Sequence, residues 1–191
     1  MATKNNVYKS YSMEYGTFVG LGWGALFLCY VGGIVTENAL LTLFCLALGL
    51  VCLLMPFGFA LRMNKMLATV NEKLSYWQGL LFSFSMFMYA CLMSGLIAFV
   101  YFHFMDDGAL YDHLHGIITQ PDMVAAYRQM GLGEAYSQMQ DALTEMQRMS
   151  DFDKALLLFN NNFCFSMILS FLVAIVASYN LGNGVNIKKE A

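Results

Sequence analysis

Charge is what this sequence has least of. Only 12% of its 191 residues are charged and 59% are apolar, whereas a water-soluble domain carries roughly 25% charged and 45–50% apolar residues. A soluble fold would have to build its surface from too few charges, an invitation to aggregate. Proline is almost missing, with two residues, so long uninterrupted helices are allowed. There is no basic run, which removes nucleic acid as a partner. The five cysteines, Cys29, Cys45, Cys52, Cys91 and Cys164, all fall in apolar stretches and form no CxxC pair. They read as reduced, buried thiols, not as a disulfide or zinc framework. Catalytic signatures are missing too: no G-x-S-x-G, no H-E-x-x-H, no phosphate-binding Gly-Lys loop and no paired intramembrane acids. No cofactor or metal is therefore expected, and the chain is expected not to be an enzyme.

What the sequence has in quantity is apolar length. A bilayer core needs about 20 apolar residues as helix. Four stretches meet that length, at about 15–35, 39–60, 79–105 and 156–178, and none carries a charge in its central part. Backbone groups in lipid must be satisfied internally, which such runs achieve as helices. The first stretch is too long for a secretory signal and is followed by no small-residue cleavage site, so it reads as a retained span. The fold class expected is all-α: a four-helix transmembrane bundle in a single membrane domain.

The few charges are unevenly placed. Seven of the ten basic residues lie on one side of the spans: Lys4 and Lys9, then Arg62, Lys65 and Lys73, then Lys188 and Lys189. The positive-inside rule places both termini in the cytoplasm. Tyr8, Tyr11, Tyr15, Tyr76 and Trp77 fit an inner aromatic belt, and Tyr101 and Tyr111 an outer one. The segment 106–154 would lie on the far side. It holds nine acids against three basic residues, a net charge of −6. Pro121 can open a helix there and Gly131 can close it. A second helix fits Glu134 to Met149, with Tyr136, Met139, Leu143 and Met146 at helical spacing. Ser150 and Asp153 form an S-x-x-D start signal for the last span. The expectation is a two-helix extracytoplasmic cap.

Several of these features occur together in a recognisable order. A Gly-rich first span contains Tyr15-Gly16. Ser75-Tyr76-Trp77-Gln78-Gly79 opens a Phe-rich third span that ends in Tyr101-Phe102-His103-Phe104-Met105-Asp106. A Met/Gln/Glu amphipathic helix and a final span follow. From about residue 8 to about residue 182 the chain resembles domain-of-unknown-function family 4199. The resemblance implies four spans in a bacterial cytoplasmic (inner) membrane. It supplies no activity, substrate or site residue.

Four constellations have both a functional and an ordinary explanation. Gly16, Gly20 and Gly24 repeat at intervals of four, and Gly32 is expected to return to the same face. Such a stripe lets another helix approach closely, either a membrane-protein partner or second copy docking on the first span, or another span of the same chain. Asn160, Asn161 and Asn162, in the outer turn or two of the last span, point three ways on a helix; at least one should face the bundle and could line a small polar cavity with Ser166, or they simply bond between helices or contact headgroups. Glu14 would couple protons if it lay inside the membrane, and is otherwise an interfacial carboxylate. His103, His113 and His115 near Asp106, Asp107 and Asp112 have ligand chemistry, but His113 and His115 share a face only in an extended segment. The leading expectation is a non-catalytic accessory or scaffold protein acting through helix packing in the lipid bilayer. The alternative is a small transporter or ion-conducting protein, which would need these polar residues to converge. An intramembrane enzyme ranks last.

Overall fold

A computed structural model describes residues 2–69 and 74–179. These residues form seven helices: α1 (Ala2–Val35), α2 (Ala39–Thr69), α3 (Tyr76–Phe104), α4 (Ala109–Ile118), α5 (Pro121–Gln129), α6 (Gly133–Arg148) and α7 (Asp151–Ser178). Four of them, α1, α2, α3 and α7, are long and apolar enough to cross a membrane. The shortest has 28 residues, about 42 Å of helix. The protein is therefore a multi-pass membrane protein with an all-α bundle, as its hydropathy predicts.

Around the bundle the long helices run in the order α1, α3, α7, α2. α3 packs extensively against both α1 and α7, while α2 rests on α1 and more lightly on α7. Two buried clusters hold the ends together. One, near the start of α1, joins Tyr15, Met63, Phe82, Met86, Phe87 and Val173; the other joins Val31, Ala98, Tyr101, Phe102, Leu110 and Ala155. Tyr15 and Tyr101 are thus core residues, not interfacial ones. Tyr15 stacks on Phe59 at 4.5 Å, and Tyr101 packs edge-on against Phe27 at 5.5 Å. Tyr76 and Trp77 remain exposed, as belt residues should.

The helix ends follow from local sequence. Ser75 caps α3 in a reciprocal capping box with Gln78, and the Ser150 hydroxyl accepts from Asp153 N–H at the start of α7. Between α1 and α2 the backbone closes as a Schellman turn. Glu37 N–H bonds to Ile34 O and Asn38 N–H to Gly33 O, each at 3.1 Å. Asn38 then caps α2, its side-chain oxygen accepting from Leu40 and Leu41 N–H. Glu37 sits at φ 50°, where glycine is usual and a side chain is strained. At the far end of α7, the buried Asn64 of α2 donates to the carbonyls of Val176 and Tyr179. This tie across the bundle has no signature in the sequence.

The cap has three helices where two were expected. Pro121 does open α5, and Gly131 adopts φ 69° after it. The added helix is α4, whose Leu110, Leu114 and Ile118 sit at helical spacing. Leu110 and Leu114 reach the bundle cluster, which is what stabilises so short a helix. Asp106 fixes its entry, accepting from Leu110 N–H at 3.1 Å and from Tyr101 O–H at 3.3 Å. α6 buries Leu143 and lays its apolar face on α4 and α5 rather than on the bundle.

Replacing Glu37 with glycine should remove the left-handed strain and stabilise the folded protein by about 1 kcal/mol. Chemical unfolding in detergent would measure this, and a lower midpoint would mean that the Glu37 side chain contributes more than its backbone strain costs. Asn38→Ala should destabilise by about 1 kcal/mol in the same assay.

Candidate functional site

The glycine stripe of the first span is a helix-packing site, and α3 occupies it. A Cβ added at Gly16 would fall on the carbonyl oxygen of Met86 and lie 2.7 Å from Tyr89 Cβ. At Gly20 it would lie 2.6 Å from both Ala90 O and Met93 Cβ. At Gly24 it would meet the side chain of Ile97. Only glycine permits this approach. Within this chain α3 fills the stripe at Gly16, Gly20 and Gly24.

Gly32 does not belong to the stripe. A Cβ there would make only ordinary contact, 3.5 Å from Leu41 Cδ2 on α2. The reason is geometric. Eight residues beyond Gly24, an α-helix has turned about 80° away from the starting face, toward α2 instead of α3.

On its other side α3 meets α7 along a polar seam of small residues. Asn162 Nδ2 donates to Ser94 Oγ at 3.3 Å, and Ser94 Oγ donates to Cys91 O at 3.2 Å. One turn on, Cys91 Sγ and Ser166 Oγ lie 3.5 Å apart. Ser170 donates to Ser166 O at 2.7 Å and Ser83 to Gly79 O at 2.8 Å. Gly79 in turn lets α3 approach Ala174 closely. Each hydroxyl is satisfied locally, which is the cheapest way to bury it in lipid.

The three asparagines divide as helical geometry requires. Asn162 faces the seam, whereas Asn160 and Asn161 are exposed on the outside of α7. The remaining polar candidates lie apart. Glu14 is exposed near one end of α1. His103 stands at the opposite end of the bundle, half exposed, 3.2 Å from Asp151 Oδ2 and stacked on Phe99. About 25 Å of α3 separates the levels of Gly16 and His103. His113 and His115 lie within α4, where two residues of helix turn their rings about 200° apart. Among the described residues no group of three His, Cys, Asp or Glu side chains could hold a metal ion. The cysteines are all free. Cys45, Cys52 and Cys91 are buried, but Cys164 is exposed on the outer face of α7, contrary to the expectation of five buried thiols.

A cleft of about 740 Å³ opens sideways between α1, α2 and α7, with Trp23, Phe27, Leu50 and Phe165 among its walls and Asn162 at one edge. Its lining is mostly apolar and suits hydrocarbon better than a hydrated ion.

A family model described as a protein of unknown function (DUF4199) matches residues 14–178. The chain belongs to that family. The match begins within α1, just before the glycine stripe, and ends with α7, so it takes in the bundle and its cap apart from residues 2–13. No curated protein and no solved structure matches the chain.

The contacts rank the glycines. Gly20→Leu should destabilise by about 3 kcal/mol, because backbone lies where the side chain would go. Gly24→Ala should cost less, since an Ile97 rotamer can give way. Gly32→Ala should be neutral or stabilising by up to about 1 kcal/mol. Thermal unfolding of the three variants tests that order, and a Gly32→Ala protein as unstable as Gly20→Leu would contradict the assigned faces. A double-mutant cycle on Ser94 and Asn162 should return a coupling of about 0.6 kcal/mol, typical of hydrogen bonds between membrane helices.

Proposed function

We propose that this protein is a non-catalytic accessory or scaffold protein of the bacterial cytoplasmic membrane that acts through helix–helix contacts. The observation that carries the proposal is the dispersal of its polar residues. A transport path needs hydrogen-bonding or charged groups aligned through the bundle. Here Glu14 and His103 occupy opposite ends, Asn160 and Asn161 face outward, and Ser94, Ser166 and Ser170 bond within the α3–α7 seam. Apart from the hydroxyl tips of Tyr15 and Tyr101 and the thiols, the buried polar side chains among the described residues are five serines and Asn64, and none is charged. The positive-inside pattern favours cytoplasmic termini, with the acidic three-helix cap outside.

The second reading, a small transporter, draws on the lateral cleft beside Asn162. Purified protein in liposomes separates the two. Proton, monovalent-ion and divalent-ion fluxes no faster than in protein-free vesicles are expected, and mild-detergent extracts should contain the protein in an assembly larger than one chain. A saturable flux lost in Asn162→Leu would overturn the scaffold reading. For topology, Ser137→Cys in a background without the native cysteines should react with an impermeant maleimide on intact cells, while Ser75→Cys should react only after permeabilisation. The reverse pattern would invert the orientation.

A further inference from the structure

The outward face of α7 differs from the other lipid-facing surfaces. Leu157, Asn161, Cys164, Ile168, Phe171 and Ile175 follow one another at intervals of four, three, four, three and four residues. That is the a/d spacing of a helix-pairing seam, and on α7 it lies opposite the face that packs into the bundle, where Ala155, Ser166 and Val173 are buried. All six seam residues are exposed; Ile168 is 66% exposed and Ile175 54%. Asn161 takes the first a position of the seam, one turn in from Leu157, with Asn160 beside it on the flank.

Both amides lie at membrane depth. Asn161 is seven residues past Lys154, the last charge on α7, or about 10 Å further in, and within a few residues of the helix midpoint. Neither side chain bonds to a described residue. A hydroxyl at such a position folds back on its own helix, as Thr17 does to Met13 O at 2.9 Å. A primary amide has two N–H donors and an acceptor, and an acyl chain offers it nothing. The apolar α2 face, with Leu43, Leu46 and Leu54 exposed, raises no such demand.

We propose that the Leu157–Ile175 seam of α7 docks on the same seam of a second copy of this chain, with Asn161 bonded to Asn161 across a two-fold axis. This names the partner left open by the helix-contact reading, and it rests on that reading. Three features select a second copy. All copies insert in one orientation, so their α7 helices meet in parallel and a two-fold axis normal to the membrane brings each seam residue onto itself. Asparagine donates and accepts, so it is its own complement. A single Asn at an a position of an apolar seam fixes register and partner number.

Cys164 supplies the test, one turn from Asn161 on the same seam. At the usual axis separation of packed helices, paired Cα atoms at such a position come within about 5–6 Å, a spacing that a disulfide spans. Native membranes treated with copper–phenanthroline should yield a covalent dimer that is lost in Cys164→Ser. In mild detergent, light scattering should give a dimer mass for wild type and Cys164→Ser. Asn161→Leu should weaken association, raising Kd by about 3- to 20-fold, with a thermal midpoint unchanged or raised, because Asn161 makes no hydrogen bond within its own bundle. A monomer with no Cys164 cross-link, or a dimer indifferent to Asn161→Leu, overturns the proposal. A different protein seated on α7 overturns it too, yet leaves the scaffold reading standing. A Cys164-linked dimer whose vesicles also carry a saturable flux upholds the dimer and overturns the scaffold reading.

Discussion

Between α1 and α3, the hydrogen atoms of two glycine α-carbons are all that separates one backbone from another. Lipid tails are as apolar as leucine, so membrane helices gain nothing by hiding hydrocarbon from one another, and their association depends on close packing and on interhelical bonds. At Gly16 and Gly20 the carbonyls of Met86 and Ala90 occupy the space that a methyl group would take. This is the arrangement in which Cα–H groups donate weakly to oxygen. The rest of the bundle is built outward from that contact. α3 is small on two sides: glycines of α1 reach its backbone on one, and its own Gly79, Ser83, Cys91 and Ser94 let α7 in on the other.

The same economy explains the looser place of α2. α1 meets it through Gly22, beside Cys52, and Gly33, beside Thr42, with no backbone approach as close as that on α3, and Leu40, Leu43 and Leu54 are exposed on the outer side of α2. Its firmest tie is polar, from Asn64 to the end of α7. The lateral cleft lies along this side, between α2 and the better-packed helices. The bundle is thus a tight three-helix unit, α1–α3–α7, with a fourth helix packed more lightly against α1 and α7.

Much of this was legible in the sequence, because hydropathy and spacing are one-dimensional signals. The four spans follow from apolar length, the α1 contact from glycines four apart, and the start of α7 from Ser150 and Asp153. The rest depends on rotation and on partners. Three consecutive asparagines carry no mark of which one faces inward, since each is turned about 100° from the last. Gly32 was misassigned for the same reason. Tyr15 and Tyr101 sit where belt tyrosines sit in sequence, but stacking on Phe59 and Phe27 draws them inward. α4 is not legible because it is only ten residues long and its apolar spacing becomes meaningful only beside the Val31–Phe102 cluster. Cys164 and the outer seam of α7 were hidden by an otherwise uniform apolar run.

The order of contacts has a consequence for biogenesis. α1 finds its matching surface on α3, the third long helix to be made, and not on α2, the next one. Translation at roughly 5–20 residues per second leaves the glycine ladder uncovered for about 3–14 s while residues 36–104 are synthesised. During that interval the glycine face of α1 has no α3 against it. The close α1–α3 contact is therefore one that only the third long helix can complete.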